Sequence, residues 1–457
     1  MSKWIGDRKF YHTLLSIAAP LVIQQLITSS MQLVDNMMVG SIGKEALSGV
    51  TVINQLYSII LFVTFGAVGG AGVLTAQYFG AKDHDKLRQT FRFKIIIALS
   101  IAIFSFLVFS FFGDSLAQIY SKNPVILAYA NDYVSIIRWS MIPWAMTVAI
   151  STTFRDTKVT LPLMLISLFA IVVNSGFNYL FIFGAAGFPT WGVRGAAFAT
   201  LLARLIEMML MVMLLMGRGK IFHTKIRDLP KINRTVLSAI FAMAIPLTLN
   251  ELLWSGGQSV FLALYATRGD VALASMSIAN SVSNLLFIAF GGIGTATAVL
   301  VGNTLGENKL GLAKANSLKL IAFSVSFAVF SGLILFGLSF FILDIYNVDE
   351  LTKSIARSVI RLNALFIPVF SYNVNMYFTL RSGGDTRSTL MMDSGYMWLI
   401  SIPIATAIAF LTQVPVILMF FFVQFLDIPK MIFATMRYRK GHWVRNLALH
   451  QDNASGI

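Results

Sequence analysis

The stretch APLVIQQLITSSMQLVD, residues 19–35, returns later in the chain as IPLTLNELLWSGGQSVF, residues 245–261. Pro20 and Pro246 occupy the same place in the two stretches, which sets the offset at 226 residues. The other matched polar positions are Gln25 with Glu251, Ser29 with Ser255, and Gln32 with Gln258. A repeat of this length in an apolar chain predicts two homologous membrane bundles, an organisation that is typical of transporters.

The register continues to Gly80 and Gly306 and then drifts by a few residues. Pro143 matches Pro368, and RDTK around Asp156 matches GDTR around Asp385. We therefore interpret these two motifs as repeat-related.

The composition is that of a membrane protein with many spans. Of the 457 residues, 57% are apolar and 12% are charged, whereas soluble domains carry about 25% charged residues. Segments of about 20 apolar residues can cross the hydrocarbon core. Twelve such segments occur: 13–38, 47–79, 93–113, 125–153, 160–184, 191–216, 236–265, 271–301, 316–343, 353–380, 388–411 and 414–436. The sequence predicts an all-α membrane protein whose twelve transmembrane helices form two pseudo-symmetric six-helix bundles around a central cavity.

The net charge of +15 is concentrated in alternate loops. The loop after segment two has Lys82, Lys86, Arg88, Arg92 and Lys94, and the loop after segment six has Arg218, Lys220, Lys225, Arg227, Lys231 and Arg234. This asymmetry predicts a multi-pass protein of the cytoplasmic membrane with both termini in the cytoplasm. It does not indicate nucleic-acid binding, since no basic patch is interleaved with aromatic residues on a soluble module.

The long polar connection at residues 217–234 falls where the repeat restarts. The predicted organisation is therefore an N-terminal lobe at 1–216, a cytoplasmic linker at 217–234, a C-terminal lobe at 235–437 and a loose cytoplasmic tail at 438–457. Because each lobe contains an even number of segments, the two lobes are parallel repeats.

Polar stripes run along helices that would otherwise face lipid. They comprise Gln25, Ser29 and Gln32 in segment one, Asn54 in segment two, Ser255 and Gln258 in segment seven, and Asn280 and Asn284 in segment eight. Their spacing of three and four places them on helix faces, which predicts a shared wet substrate cavity. Aromatic contacts are expected from Tyr57, Trp254 and Tyr372. The alternative is hydrogen bonding that holds the helices together.

Two intramembrane carboxyl groups are the main candidates for coupling. An isolated buried carboxylate is costly, so it tends to pair, bind a cation or take up a proton. Asp35 in segment one has possible partners in Asn174 and Asn178, one turn apart in segment five, and in Thr200 in segment six. Their oxygen atoms are suitable ligands for Na⁺. Glu251 in segment seven is the second candidate.

Other charges and reactive groups are weaker candidates. We expect Arg204 and Glu207 to pair, and we interpret Asp393 and Asp427 as structural. The five histidines fall in loops or near the termini, and the chain has no cysteine. No spacing typical of a metal site or a catalytic nucleophile occurs, so an enzyme is not indicated and no cofactor is expected.

Several longer motifs resemble the multidrug and toxic compound extrusion (MATE) transporters. These motifs are LVDNMMVGSIG at 33–43, GAVGGAGVLTAQYFGAK at 66–82, FRDTK at 154–158, NSGFNYLFIFG at 174–184, GAAFAT at 195–200 and RSGGDTR at 381–387. They are spread over both lobes, so the resemblance covers nearly the whole chain.

The resemblance implies two six-helix bundles with a V-shaped cavity, and a cation and proton site at Asp35, Asn174, Asn178 and Thr200. Asn178 stands where the family often has an aspartate, so the site has one carboxylate fewer. Pro20 matches a proline at which the first helix bends. Glu251 resembles the acid of segment seven used by other members, but Tyr372 and Asn373 stand near the place of their segment-ten aspartate.

The predicted function is export of cationic amphipathic compounds in exchange for inward H⁺ or Na⁺. The expected partners are small organic cations and membrane lipid, and a monomer is expected. The alternative within the same superfamily is a flippase for a lipid-linked or amphipathic metabolite. A facilitator of unrelated fold and a structural or receptor-like membrane protein are more distant alternatives.

Overall fold

The computed structural model describes residues 4–218, 221–346 and 348–450. Within these ranges, twelve helices are long and apolar enough to cross a membrane. We name them α1 Arg8–Gly40, α2 Lys44–Gly80, α3 His84–Tyr120, α4 Pro124–Asp156, α5 Leu161–Phe183, α6 Val193–Arg218, α7 Arg234–Ala266, α8 Asp270–Gly306, α9 Leu310–Leu338, α10 Glu350–Ser382, α11 Thr386–Leu411 and α12 Val416–Arg439. The twelve predicted segments and the all-helical membrane fold are confirmed.

The helix boundaries repeat the sequence offset closely. Seven boundaries recur after 226 residues: Arg8 with Arg234, Gly40 with Ala266, Lys44 with Asp270, Gly80 with Gly306, His84 with Leu310, Pro124 with Glu350, and Asp156 with Ser382. Left-handed backbone recurs at the same offset, with φ of 60° and 59° at Lys82 and Asn308. The same turn geometry has therefore been kept in both halves.

The structure corrects the interpretation that Asp156 and Asp385 are repeat-related. Asp156 is the last residue of α4, and its counterpart at the end of α10 is Ser382. Asp385 follows Gly384, which has a φ of +79°, and precedes the first residue of α11. The two DT motifs thus lie at the end of one helix and at the start of another.

Helix starts are fixed by side chains that accept backbone hydrogen bonds, which satisfies otherwise unpaired N–H groups. Asn123 accepts from the Val125 N–H (2.9 Å) before α4, and Asp349 accepts from the Thr352 N–H (3.0 Å) before α10. The Thr352 hydroxyl also donates to Asp349. These bonds hold the pKa of the Asp349 carboxyl below its usual range, because they favour its charged form.

The chain forms two compact units. The N unit comprises Ile23–Thr248, and the C unit combines the described residues before Ile23 with those from Leu249 onward. The boundaries fall inside α1 and α7, within one helical turn of Pro20 and Pro246, which both lie inside their helices. The lobe boundaries inferred from sequence remain a prediction.

Glycines in the N unit allow α2 to approach the first part of α7. A Cβ atom at Gly66 would overlap the Thr248 backbone, and one at Gly70 would overlap Ala244. In the C unit, a Cβ atom at Gly292 would lie 2.8 Å from the Val22 side chain of α1. Small residues therefore set close helix packing at equivalent places, as expected in membranes.

The linker and the tail each fold back onto a unit. Phe222 is 2% exposed and contacts the rings of Phe91 and Phe154 in the N unit. In the C unit Trp443 is fully buried against Tyr438. The expectation of a loose tail is thus wrong for the segment up to residue 449, whose indole and apolar side chains are buried. Lys220 and tail residues 451–457 lie outside the described residues.

Candidate functional site

Four predicted coupling residues meet in the N unit as a chain of hydrogen bonds. The Asn178 Nδ2 group donates to Asp35 Oδ1 (2.5 Å) and to Asn174 Oδ1 (3.2 Å). The Asn174 Nδ2 group donates to the Thr200 hydroxyl oxygen (3.3 Å), and that hydroxyl donates to the Ala196 carbonyl (3.0 Å). Both asparagines are buried, while Asp35 is half-buried. The donors of α5 thus stabilise the ionised form of Asp35.

The same site offers oxygen atoms to a hard cation. Asn178 Oδ1 is buried and has no hydrogen-bond partner among the described residues. Together with the Asp35 carboxylate and the Thr200 oxygen, it is the kind of ligand that Na⁺ accepts. No group of three or more His, Cys, Asp or Glu side chains in the described ranges is arranged to hold a metal ion. The donor set fits a weakly held monovalent cation better than a structural metal.

Tyr57 binds a buried arginine. Arg204 Nη1 donates to the Tyr57 hydroxyl (2.5 Å) and to the Ser140 hydroxyl (2.8 Å), and its guanidinium lies over the Tyr57 ring. The expected direct pairing of Arg204 with Glu207 is not formed. Glu207 instead accepts from Ser167 Oγ (3.1 Å), which accepts from Gln24 Nε2 (2.8 Å).

The predicted cavity residues divide by exposure within each unit. In the N unit Gln25, Gln32 and Asn54 are exposed and Ser29 is half-buried; in the C unit Gln258, Asn280 and Asn284 are exposed and Trp254 and Ser255 are half-buried. Tyr57 is buried. The stripes of α1, α2, α7 and α8 therefore leave their polar side chains available.

Tyr372 and Asn373 are engaged with α12. The Tyr372 hydroxyl is 2.7 Å from Thr435 Oγ1, and Asn373 Nδ2 donates to the Asp427 carbonyl (3.1 Å). These contacts bind α10 to α12 and account for both polar side chains. Sequence spacing could not separate this packing role from the predicted cavity role.

The C unit contains a polar centre that sequence reasoning did not find. Lys430 Nζ lies 2.6 Å from Asp393 Oδ1, and Asn250 Nδ2 donates to Asp393 Oδ2 (3.1 Å). Glu251, the predicted coupling acid, is half-buried, and Arg381 and Asp393 are the charges that act on it. Asp393 is therefore part of an intramembrane ion pair, which replaces the expectation of an isolated structural aspartate.

Two further buried ion pairs were also missed. Lys94, which the sequence suggested was a loop residue, lies inside α3 with a fully buried side chain, 2.7 Å from Asp156 Oδ2. In the C unit, Arg437 donates to both carboxylate oxygens of Asp385 (2.9 and 3.2 Å). The signal was available, because a lysine and an aspartate within apolar helices must find partners.

The geometry can be compared with known proteins. A protein-family model described as MatE matches residues 20–180 and 246–407, more than half of the chain. The chain belongs to the MatE family. Among its MatE relatives, a probable multidrug resistance protein NorM of Bradyrhizobium diazoefficiens is 26% identical over 406 residues, covering 87% of this chain and 86% of that protein. Multidrug resistance protein MdtK of Pectobacterium atrosepticum is 25% identical over 390 residues, 85% of each chain.

Solved MatE-like structures share the fold. A MATE transporter in the straight conformation matches with a TM-score of 0.86 at 17% identity, covering 96% of this chain and 97% of that one. A Pyrococcus furiosus transporter of the MOP superfamily matches with a TM-score of 0.83 at 18% identity, covering 95% and 97%. The reversed polarity of that transporter's binding pocket suggests a different function for it. The fold is thus that of membrane transporters, and the substrate must be argued from side chains.

Proposed function

We propose that this MatE protein is a multidrug efflux antiporter, which exports cationic amphipathic compounds in exchange for inward H⁺ or Na⁺. The observation that carries the proposal is the hydrogen-bond chain ending at Asp35. Relatives described as multidrug resistance proteins over most of their length support the substrate class. Both termini are proposed to be cytoplasmic, and the protein is proposed to act as a monomer without a cofactor.

The chain at Asp35 supports coupling because its polarity depends on a proton. Ionised Asp35 only accepts hydrogen bonds, which fits the Nδ2 donor of Asn178. Protonated Asp35 becomes a donor, and the buried Asn178 Oδ1 lacks a donor among the described residues. A rotation of the Asn178 amide would bring that oxygen to the proton. Asn174 and Thr200 would then have to rearrange with it.

This rearrangement links the ion to the position of α1. Asp35 lies on α1, whereas Asn178 and Asn174 lie on α5 and Thr200 on α6. Gain or loss of a proton or Na⁺ changes how α1 is held, and Pro20 supplies a bend point on the same helix. An antiporter requires only that ion and substrate favour opposite states, with a differential of about 1–3 kcal/mol.

Charge supports an organic cation as the substrate. The carboxyl groups Asp35 and Glu251 are half-buried and are set among exposed amides such as Gln25, Asn54 and Asn280. Trp254 is half-buried and offers an aromatic face to a cation. A flippase for a lipid-linked phosphate would need cations in these places instead.

Reconstitution into proteoliposomes tests this function. A fluorescent organic cation should be driven across the membrane by an imposed pH or Na⁺ gradient. Matched assays should use an anionic dye of similar size and a lipid-linked phosphate. Transport restricted to the anionic or lipid-linked compounds would contradict the proposal and favour the flippase.

A further inference from the structure

The polar centre of the C unit, at Asp393 and Lys430, has a repeat-related counterpart in the N unit. Asn250 donates to Asp393, and its counterpart Gln24 donates to Ser167; each pair is separated by 143 residues. Lys430 stands 226 residues after Arg204. The frame of an amide on α1 or α7 and a buried cation on α6 or α12 has therefore been kept in both units.

The contents of the frame differ. In the N unit Arg204 donates to the neutral hydroxyls of Tyr57 and Ser140. In the C unit Lys430 pairs directly with Asp393, and the side chains of Lys430 and Asp393 are only 14% and 18% exposed. A charged pair has been placed within the membrane-spanning part of α11 and α12, where such groups are costly and usually serve function.

The charges around this pair do not cancel. Three carboxyl groups interact with one another or with the same cations: Glu251 from α7, Asp393 from α11 and Asp427 from α12. Two cations face them, Lys430 from α12 and Arg381 from α10. The neutral phenols of Tyr377 on α10 and Tyr396 on α11 complete the surroundings. If all five charged groups were ionised, the cluster would have a net charge of −1.

An uncompensated carboxylate at this depth is expected to take up a proton. Asn250 provides contact between the groups, because its Nδ2 lies 3.4 Å from the Tyr377 hydroxyl and 3.1 Å from Asp393. The α11 backbone is irregular at this place, with π-helical turns at Met391–Gly395 and Met397–Ser401. Such turns are frequent at functional sites in helices.

We propose that Glu251, Asp393 and Asp427, with Lys430 and Arg381, form a second proton-binding centre that holds one exchangeable proton. Asp393 is its ion-paired core. The use of this proton for exchange rests on the proposed function, whereas the presence of the proton does not. The centre differs from the site at Asp35 because a fixed lysine, instead of amides alone, holds its carboxylate.

Infrared pH-difference spectroscopy of the purified protein in detergent tests the presence of this proton without any transport. The parent is Asp35→Asn, which removes the carboxyl group of the N-unit chain. The parent should still show a neutral-carboxyl C=O band that titrates. Adding Asp393→Asn or Asp427→Asn should remove that C-unit signal, because either change leaves two carboxyl groups and two cations.

Charge counting gives a second, independent variant. Asp393→Asn with Lys430→Gln leaves two carboxyl groups and one cation, so the band should return. Asp385→Asn is the matched control, since it breaks another ion pair to α12 in the same unit and should leave the band unchanged. The proposal is overturned if the parent has no titrating band, or if Asp393→Asn and Asp427→Asn both leave the band at the parent's amplitude.

Discussion

The polar centres of the two units are built on the same helices of the repeat but treat their charges differently. In the N unit the carboxylate of Asp35 is bound by an amide and forms no ion pair among the described residues. In the C unit the carboxylate of Asp393 is bound by the ammonium group of Lys430 at 2.6 Å. A carboxylate held only by amides changes its bonding when it gains a proton or Na⁺. An ion-paired carboxylate is held in place, and the charge balance around it determines proton binding.

The largest expected effect concerns the fully buried ion pair of the N unit. Asp156→Asn should destabilise the protein by about 3–5 kcal/mol, because Lys94 would keep a buried charge without its carboxylate. Asp385→Asn, which breaks the less buried pair of the C unit, should cost less. Thermal unfolding in detergent measures both. Asp132→Asn is the control, since its pair with Arg194 is exposed and is expected to contribute about 0–1 kcal/mol. Equal losses for all three variants would contradict the ranking.

The next effect sharpens the role of amides in the N unit. Asn178→Asp adds a carboxylate beside Asp35, and Na⁺ affinity rises with the number of charged ligands. We expect the variant to gain a stabilisation by NaCl over choline chloride that exceeds that of the parent protein. Melting curves at matched ionic strength provide the measurement. Asn54→Asp, an exposed polar position of α2, is the control. The same Na⁺ response in both variants would mean that the added charge acts non-specifically.

The smallest effect compares two repeat-related helix caps. Asn123 caps α4 and Asp349 caps α10, so only the C unit has an ionisable cap. The pKa of Asp349 lies below its usual range. Its contribution to stability is therefore complete above the ordinary aspartate value of about 3.9 and is lost as pH falls through the folded-state pKa.

Asp349→Asn should consequently leave the melting temperature at neutral pH nearly unchanged and flatten its decline under acid conditions. Melting curves from about pH 6 to about pH 3 provide the measurement, with Asn123→Ser as the control for a neutral cap. An acid-dependent decline in the Asp349→Asn variant as steep as in the parent would show that this cap does not contribute.

Most of the fold could be predicted from the sequence. Long apolar segments determine the spans, and the repeat at Pro20 and Pro246 predicts that the two halves share one helix order. The structure extends the repeat further than sequence identity does, because turn geometry at Lys82 and Asn308 survives where side chains have changed. The similar letters at Asp156 and Asp385 were misleading for the same reason: helix ends, and not short motifs, carry the register.

The candidate site was predictable only in part. Asp35, Asn174, Asn178 and Thr200 could be grouped because helical spacing and family resemblance agree. The pairing of Lys430 with Asp393 could not be found, because it depends on which faces of α11 and α12 meet. Tyr372 was assigned to the cavity for its residue type, yet its hydroxyl contacts Thr435. Spacing along one helix does not determine the partner on the next.

The coupling role of Asp35 is tested most directly by gradient-driven efflux of a fluorescent cation from proteoliposomes, with Asp35→Asn and Glu251→Gln measured side by side. The account predicts that Asp35→Asn loses the gradient-driven component, a decrease of about 5–150-fold for a coupling free energy of about 1–3 kcal/mol, while the protein stays folded and binds substrate. Full export by Asp35→Asn together with loss in Glu251→Gln would contradict the account and move the coupling site to the C unit.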